Sequence, residues 1–224
     1  MIRLHVVAEG QTEEEFVNSV LAGHLGRFNV FADVRCVETS RHRARIYRGG
    51  VWSYAKIKKD LTLWMKEDKQ PEAFFTTMFD VYALPTDFPE RDQAKRQPEP
   101  YLQVALLEKA FATDIDHRRF IPYLQLFEFE ALILSDPARF EVRFVEHAVG
   151  IRGLIEECSP YSSPELINDG EATAPSKRII ARIPDYEGSK RSAGPLIAGK
   201  IGLPTIRQKC PHFNAWLAKL ESLT

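Results

Sequence analysis

Ile2-Arg3-Leu4-His5-Val6-Val7-Ala8-Glu9-Gly10-Gln11-Thr12-Glu13-Glu14-Glu15-Phe16 is the stretch that decides the fold. Residues 2–8 form an apolar run of strand length. Thr12-Glu13-Glu14-Glu15 then has the capping-box pattern, with Glu15 expected to complete the box and Glu14 to face solvent. Phe16, Val17, Val20, Leu21 and Leu25 follow at helical spacing. A strand that hands directly to a helix opens an α/β fold, and Glu9-Gly10 stands at the strand tip, where open α/β sheets put their chemistry. Gly10 is expected to let the backbone turn sharply. Glu13 then falls in the first helical turn, near Glu9 and near the positive end of the helix. Two carboxylates this close repel unless a cation or a proton sits between them.

The same alternation continues along the chain. Val30 to Val37 reads as a second strand, and a helix is expected from about Ser53 to Glu67 with Ile57, Leu61 and Trp64 inward. Ala73 to Phe79 reads as strand three, ending at Asp80. Pro85 and Pro89 make the next segment a long turn. A helix from near Pro100 carries Leu102, Leu106 and Phe111, and strand four is expected at Ile121 to Phe127, running straight on through Phe129 to Leu134. Alternating strands and helices predict an α/β fold with a mainly parallel sheet flanked by helices. From about residue 137, prolines divide the chain into short helical stretches, of which Phe213 to Leu223 keeps Trp216, Leu217 and Leu220 on one face. The expected organisation is an α/β catalytic domain over residues 1–136 and a helical C-terminal extension, residues 137–224, packed on it.

Composition sets wider bounds. At 224 residues, 44% hydrophobic and 27% charged, the chain has the make-up of an ordinary globular protein with room for a full core. No run approaches a membrane span and no basic-then-apolar leader precedes the first strand, so a cytoplasmic protein without a membrane partner is expected. Cys36, Cys158 and Cys210 are odd in number and far apart, which suggests neither a disulfide framework nor a thiolate metal site. The histidines lack His-x-x-x-His spacing, and no Gly-x-Ser-x-Gly elbow is present.

The formal net charge is −1, but its distribution is uneven. Arg41, Arg43, Arg45, Arg48, Lys56, Lys58 and Lys59 follow one another without an acidic residue, interleaved with Tyr47, Trp52 and Tyr54. A second zone, Pro175 to Cys210, carries Lys177, Arg178, Arg182, Lys190, Arg191, Lys200, Arg207 and Lys209 against Asp185 and Glu187 only. A solvated face is the plain reading of either zone. Beside a carboxylate cluster, two such zones suit a protein that holds a phosphate backbone next to a metal. Carboxylates at three strand ends, Glu9 with Glu13, Asp80, and Glu128 with Glu130, form that cluster, and Mg2+ or Mn2+ is the expected cofactor.

Val7-Ala8-Glu9-Gly10-Gln11-Thr12-Glu13, Met78-Phe79-Asp80-Val81-Tyr82-Ala83-Leu84-Pro85, Glu128-Phe129-Glu130-Ala131-Leu132, Ala174-Pro175-Ser176-Lys177-Arg178 and Cys210-Pro211-His212-Phe213-Asn214 together resemble a bacterial Toprim-like family, domain of unknown function 4276. The Glu9, Glu13, Asp80 and Glu128/Glu130 motifs also resemble those of the Toprim nucleases of OLD (overcoming lysogenization defect) proteins. The resemblance implies a Toprim-like fold and a metal-dependent nuclease acting on DNA or RNA. It makes Glu9 the metal-binding or acid-base glutamate, Glu13 a second metal ligand, Asp80 the first aspartate of an Asp-x-Asp pair, and Glu128 and Glu130 the late acidic ligands. Tyr82 stands where the second aspartate is expected, so one metal position is lost or rebuilt with Glu128 or Asp87.

By the same resemblance Lys177 is the late lysine near the scissile phosphate, with Arg178 beside it. Arg41, Arg43, Arg45, Arg48 and Arg178 are the expected nucleic-acid contacts. Family members commonly lie beside an ABC- or SMC-like ATPase in apparent phage-defence operons. This chain has no Gly-x-x-x-x-Gly-Lys-Ser/Thr, so ATP hydrolysis would come from such a partner. The alternative expectation is a catalytically degenerate Toprim-like regulatory or sensor subunit of that ATPase.

Overall fold

A computed structural model describes residues 1–37, 53–167 and 173–224. The expected contacts Arg41, Arg43, Arg45 and Arg48 lie outside the described residues. Strands β1 (Ile2–Ala8), β2 (Val30–Cys36), β3 (Ala73–Asp80), β4 (Phe120–Ile121) and β5 (Leu124–Gln125) form one parallel sheet in the order β2-β1-β3-β4, with β5 also on β3. Helix α1 (Gln11–Phe16) runs through a wider π turn at Val17–Leu21 into α2 (Ala22–Leu25). The helices α3 (Tyr54–Glu67), α4 (Arg91–Ala94), α5 (Pro100–Ile115) and α6 (Glu130–Ile133) follow. The C-terminal part carries α7 (Ala148–Cys158), α8 (Pro175–Arg182), α9 (Lys190–Ile201), α10 (Leu203–Lys209) and α11 (Pro211–Glu221), and no strand among its described residues.

Alternation along the strands divides the core into two layers, because successive side chains leave a strand on opposite faces. Leu4 and Val6 of β1 and Met78 of β3 join Phe16, Leu21 and Leu25 and the apolar faces of the C-terminal helices, among them Ile179, Ile197, Phe213, Trp216 and Leu217. Val7, Phe75 and Phe79 face the other way, onto Ile57, Leu61 and Trp64 of α3 and Val104, Leu107 and Phe111 of α5. The structure is thus mixed α/β, with helices on both faces of a parallel sheet and a helical C-terminal region sharing the first layer of core. Of the three apolar residues expected on α5, Phe111 is buried, Leu106 partly buried and Leu102 exposed.

Strand four departs from expectation at Pro122. β4 pairs Phe75 with Phe120 and β5 pairs Phe79 with Leu124, one unbroken register with a gap at the proline, which has no N–H to give. Threonine side chains fill the gap. Thr76 Oγ1 donates to Ile121 O at 2.6 Å, and Thr77 Oγ1 donates to Tyr123 O at 3.0 Å while accepting from Tyr123 N at 3.1 Å. Trp216 of α11 donates its indole N–H to Thr76 Oγ1 at 2.9 Å, which ties the C-terminal helix to the same edge. Beyond β5 the chain does not run on extended. Phe127 takes a left-handed backbone (φ 63), and residues 130–133 coil into α6, all four of them buried.

Candidate active site at the carboxyl edge of the sheet

In the order β2-β1-β3, the chain leaves β1 to one side for β2 and returns to the other side for β3. The carboxyl ends of β1 and β3 therefore flank the switch point at which open α/β sheets leave a crevice. A cavity of about 430 Å³ opens there, lined by Glu9, Glu13, Asp80, Tyr82, Glu128, Glu130 and Lys190 with the Gly10–Thr12 turn. All five carboxylates singled out in the sequence come to this one cavity. Among the described residues, Lys190 is the one cation lining it.

Each carboxylate has its own restraint. Glu9 follows the last residue of β1, and its Oε2 accepts the Asp80 backbone N–H at 2.9 Å, which fixes the tips of β1 and β3 to each other. Glu13 Oε2 accepts the Gly10 N–H at 3.0 Å, so the capping box closes through Glu13 and not through the exposed Glu15. The box has no side-chain partner at the cap position, because Gly10 stands there. Gly10 itself is extended (φ −154), a conformation open to any residue, and a Cβ there would lie 3.4 Å from Glu13 Oε2. The turn itself thus does not require glycine at position 10.

Glu128 and Glu130 reach the cavity from the segment after β5. Phe127 sits in a backbone region that a bulky side chain occupies only under constraint; its carbonyl accepts the Tyr82 N–H at 3.1 Å, and its ring lies 5.4 Å from that of Tyr82. The first turn of α8 holds Glu128, with Ser176 N donating to Oε2 at 2.7 Å and Ser176 Oγ donating to Oε1 at 3.0 Å. Tyr186 OH donates to Glu130 Oε1 at 3.2 Å, and Lys190 Nζ lies 3.6 Å from the same oxygen. Asp80 is less provided for, since its Oδ1 is buried without a hydrogen-bond partner.

The electrostatics follow from this crowding. Burial first, then the negative charge of Glu13, pushes the Glu9 carboxyl up to about 8. Burial likewise pushes Glu13 up to about 7, against the N–H bonds that oppose it. Asp80 is held well above the ordinary aspartate range by burial and then by Glu9. Glu130 is raised by burial although Lys190 pulls the other way. Ionising the whole set needs an added positive charge, and the orphaned Asp80 oxygen and an all-oxygen donor set fit a hard divalent cation. Among the described residues, the set of three side chains with ligand atoms all within 4.8 Å of one another is instead Glu146, His147 and Asp185, away from this cavity and with both carboxylates exposed.

Three expected participants are placed elsewhere. Lys177 lies in the first turn of α8 with its side chain in solvent and does not line the cavity. Arg178 donates through Nε to Thr173 O at 3.0 Å and through Nη2 to Tyr161 OH at 3.0 Å, contacts that hold the start of α8. Asp87 accepts the Tyr54 N–H at 3.0 Å, at the start of α3, and is likewise absent from the lining.

Lys190 is named in the sequence only as one member of the second basic zone, and its place beside the carboxylates comes from the structure. In the structure α9 begins at Lys190, and Gly194, one turn further on, is where it meets the site's other walls. A Cβ on Gly194 would come within 3.0 Å of Phe129 Cε1, 3.3 Å of Tyr186 OH and 3.4 Å of Thr12 Cγ2. A glycine one helical turn from a lysine is the signal, because residues i and i+4 share a face.

No curated protein and no solved structure matches the chain. A family model, Domain of unknown function (DUF4276), matches residues 8–221, a span that includes every residue lining this cavity. The chain belongs to that domain-of-unknown-function family.

Proposed function

We propose that this protein is a nuclease that hydrolyses phosphodiester bonds of DNA or RNA with Mg2+ or Mn2+. The observation that carries the reading is the set of five carboxylates and one lysine around the switch-point crevice, with a buried Asp80 oxygen left without a partner. Glu9, Glu13, Asp80 and Glu130 would hold the ion, with Glu128 fixed at the rim by Ser176. A divalent ion supplies charge neutralisation for a phosphodiester and lowers the pKa of water in its vicinity. Glu9 is anchored through Oε2, which accepts the Asp80 N–H, so its other oxygen is the one suited to accept a proton from an attacking water. Lys190 brings the positive charge that a phosphate needs to approach so acidic a cavity. The Toprim-like relationship suggested by the motifs supports the same chemistry.

Tyr82 favours a second reading. It lines the cavity where a further aspartate would complete an Asp-x-Asp pair, and a phenol is a poor ligand for Mg2+. In that case the chain is a regulatory or sensor subunit of an ABC- or SMC-like ATPase, the partner that also fits a phage-defence nuclease. The test is cleavage of supercoiled DNA and of total tRNA by the purified protein in Mg2+, Mn2+ or EDTA, beside Glu9→Ala, with and without a neighbouring ATPase. Metal-dependent cutting that falls at least a hundred-fold in Glu9→Ala is expected. A folded wild-type protein that cuts neither substrate under any of these conditions turns the choice to the regulatory reading.

A further inference from the structure

A second cavity, of about 460 Å³, adjoins the acidic one, and Gln11, Thr12 and Lys190 line both. Its character is different. Among the described residues, Lys190 and Arg191 are its cations, and Glu187 is the single carboxylate in its wall. Ser189 and Ser192 line it too, but their hydroxyls donate to the carbonyls of Asp185 at 2.8 Å and Ser189 at 3.2 Å, so the charged donors are the two basic side chains. Arg191 is exposed and makes no ion pair among the described residues. Arg3, Arg182 and Arg207 are by contrast occupied, by Asp68, Glu157 and Glu221.

Resting on the nuclease reading above, we infer that this second cavity seats the phosphate next to the one being cut, so that the substrate is a polynucleotide strand crossing from the acidic cavity over Lys190 to Arg191. A polymer of phosphodiesters presents negative charge at regular intervals. The surface offers in sequence an acidic seat that takes a phosphate only with a cation, a lysine shared by both cavities, and an arginine with its fork of donors unpaired. A substrate with one phosphate fills the first cavity alone and gains nothing from Arg191.

The test compares the full chain with Arg191→Glu and Arg191→Lys on two substrates in Mn2+, a single-stranded oligonucleotide and the one-phosphate diester bis(4-nitrophenyl) phosphate. Arg191 is exposed, so neither substitution removes core packing. For Arg191→Glu, kcat/KM is expected to fall at least ten-fold more on the oligonucleotide than on the diester, chiefly through KM. Arg191→Lys is expected to recover part of the loss, and the salt dependence of oligonucleotide KM is expected to flatten in Arg191→Glu. Equal losses on both substrates, or none on either, overturn the subsite. Should the wild type cut neither substrate, in Mg2+ or Mn2+ and with or without the neighbouring ATPase, the nuclease reading fails, and the subsite is then read from fluorescence anisotropy of the labelled oligonucleotide. Binding weakened at least ten-fold by Arg191→Glu sustains it, and binding that is absent or unaffected overturns it.

Discussion

The Glu9 carboxyl is raised to about 8 and that of Glu13 to about 7, which makes the metal-free protein sensitive to pH in a definite direction. A carboxyl raised on folding favours the folded state fully below its unfolded value, near 4.5, and that contribution is lost as pH rises through the folded value. In EDTA the protein is therefore expected to lose stability between about pH 5 and pH 8, on the order of a few kcal/mol for a shift of this size. His5 changes in the same direction. Burial opposes its charge, but hydrogen bonds to Asp33 at 2.7 Å and Asp68 at 2.8 Å outweigh it and raise its pKa, so its contribution too fades as pH rises. The informative quantity is thus a difference between proteins. Glu9→Gln keeps an acceptor for the Asp80 N–H and removes the charge, so its melting temperature in EDTA is expected to exceed that of wild type at pH 8 and to match it near pH 5. A constant offset across that range would mean that Glu9 ionises freely in the fold.

At the level of elements, the second buried carboxylate system shows what a structural acid looks like beside the candidate catalytic ones. Glu165 is fully buried and accepts the N–H groups of His212 at 3.0 Å and Phe213 at 2.9 Å, two of the donors that the first turn of α11 leaves open, with Tyr101 OH at 3.2 Å. Glu165→Ala strands those donors and is expected to cost about 3 kcal/mol, read as a lowered midpoint in urea, without affecting metal binding. A loss below about 0.5 kcal/mol would show that water replaces the carboxylate. Nothing local in Ser163-Pro164-Glu165 announces this role, since the helix it caps lies far along the chain. Glu9, Asp80, Glu128 and Glu130 were legible because each follows a strand-like run, and strand ends meet at one edge. Lys177 was misplaced for a geometric reason. The first turn of α8 spends the Ser176 N–H and hydroxyl on Glu128, and the next residue, about 100° further round, faces solvent. Pro122 hid a strand interruption that only the Thr76 and Thr77 side chains make tolerable, and the apolar run Phe129 to Leu134 has the composition of either a buried strand or a buried helix.

For the whole molecule, alternation of strands and helices was enough to foresee a parallel sheet, but strand order is a property of the assembled core. It is the order β2-β1-β3 that brings Glu9 and Asp80 to opposite lips of one crevice. Among the described residues, two places offer ligands to a divalent ion, that crevice and the Glu146, His147 and Asp185 set. The second is closer in spacing but has a nitrogen donor and solvent-facing carboxylates, which suits a borderline ion such as Zn2+ better than Mg2+. The first has oxygens only and an ionisation cost that a bound cation relieves. A ligand that binds only the folded state stabilises it by about 2.7 kcal/mol at a hundred times its Kd. For a chain of this length that is a rise in melting temperature on the order of 5–10 °C. With Mg2+ or Mn2+ at pH 8 this rise is expected in wild type and in His147→Ala and is expected to disappear in Asp80→Asn. Because the crevice carboxylates are already protonated near pH 5, the rise there is expected to be smaller in every protein that retains Asp80. A rise lost in His147→Ala and kept in Asp80→Asn would move the ion to the exposed set and leave the crevice a cluster of protonated acids, incompatible with metal-assisted hydrolysis at the switch point.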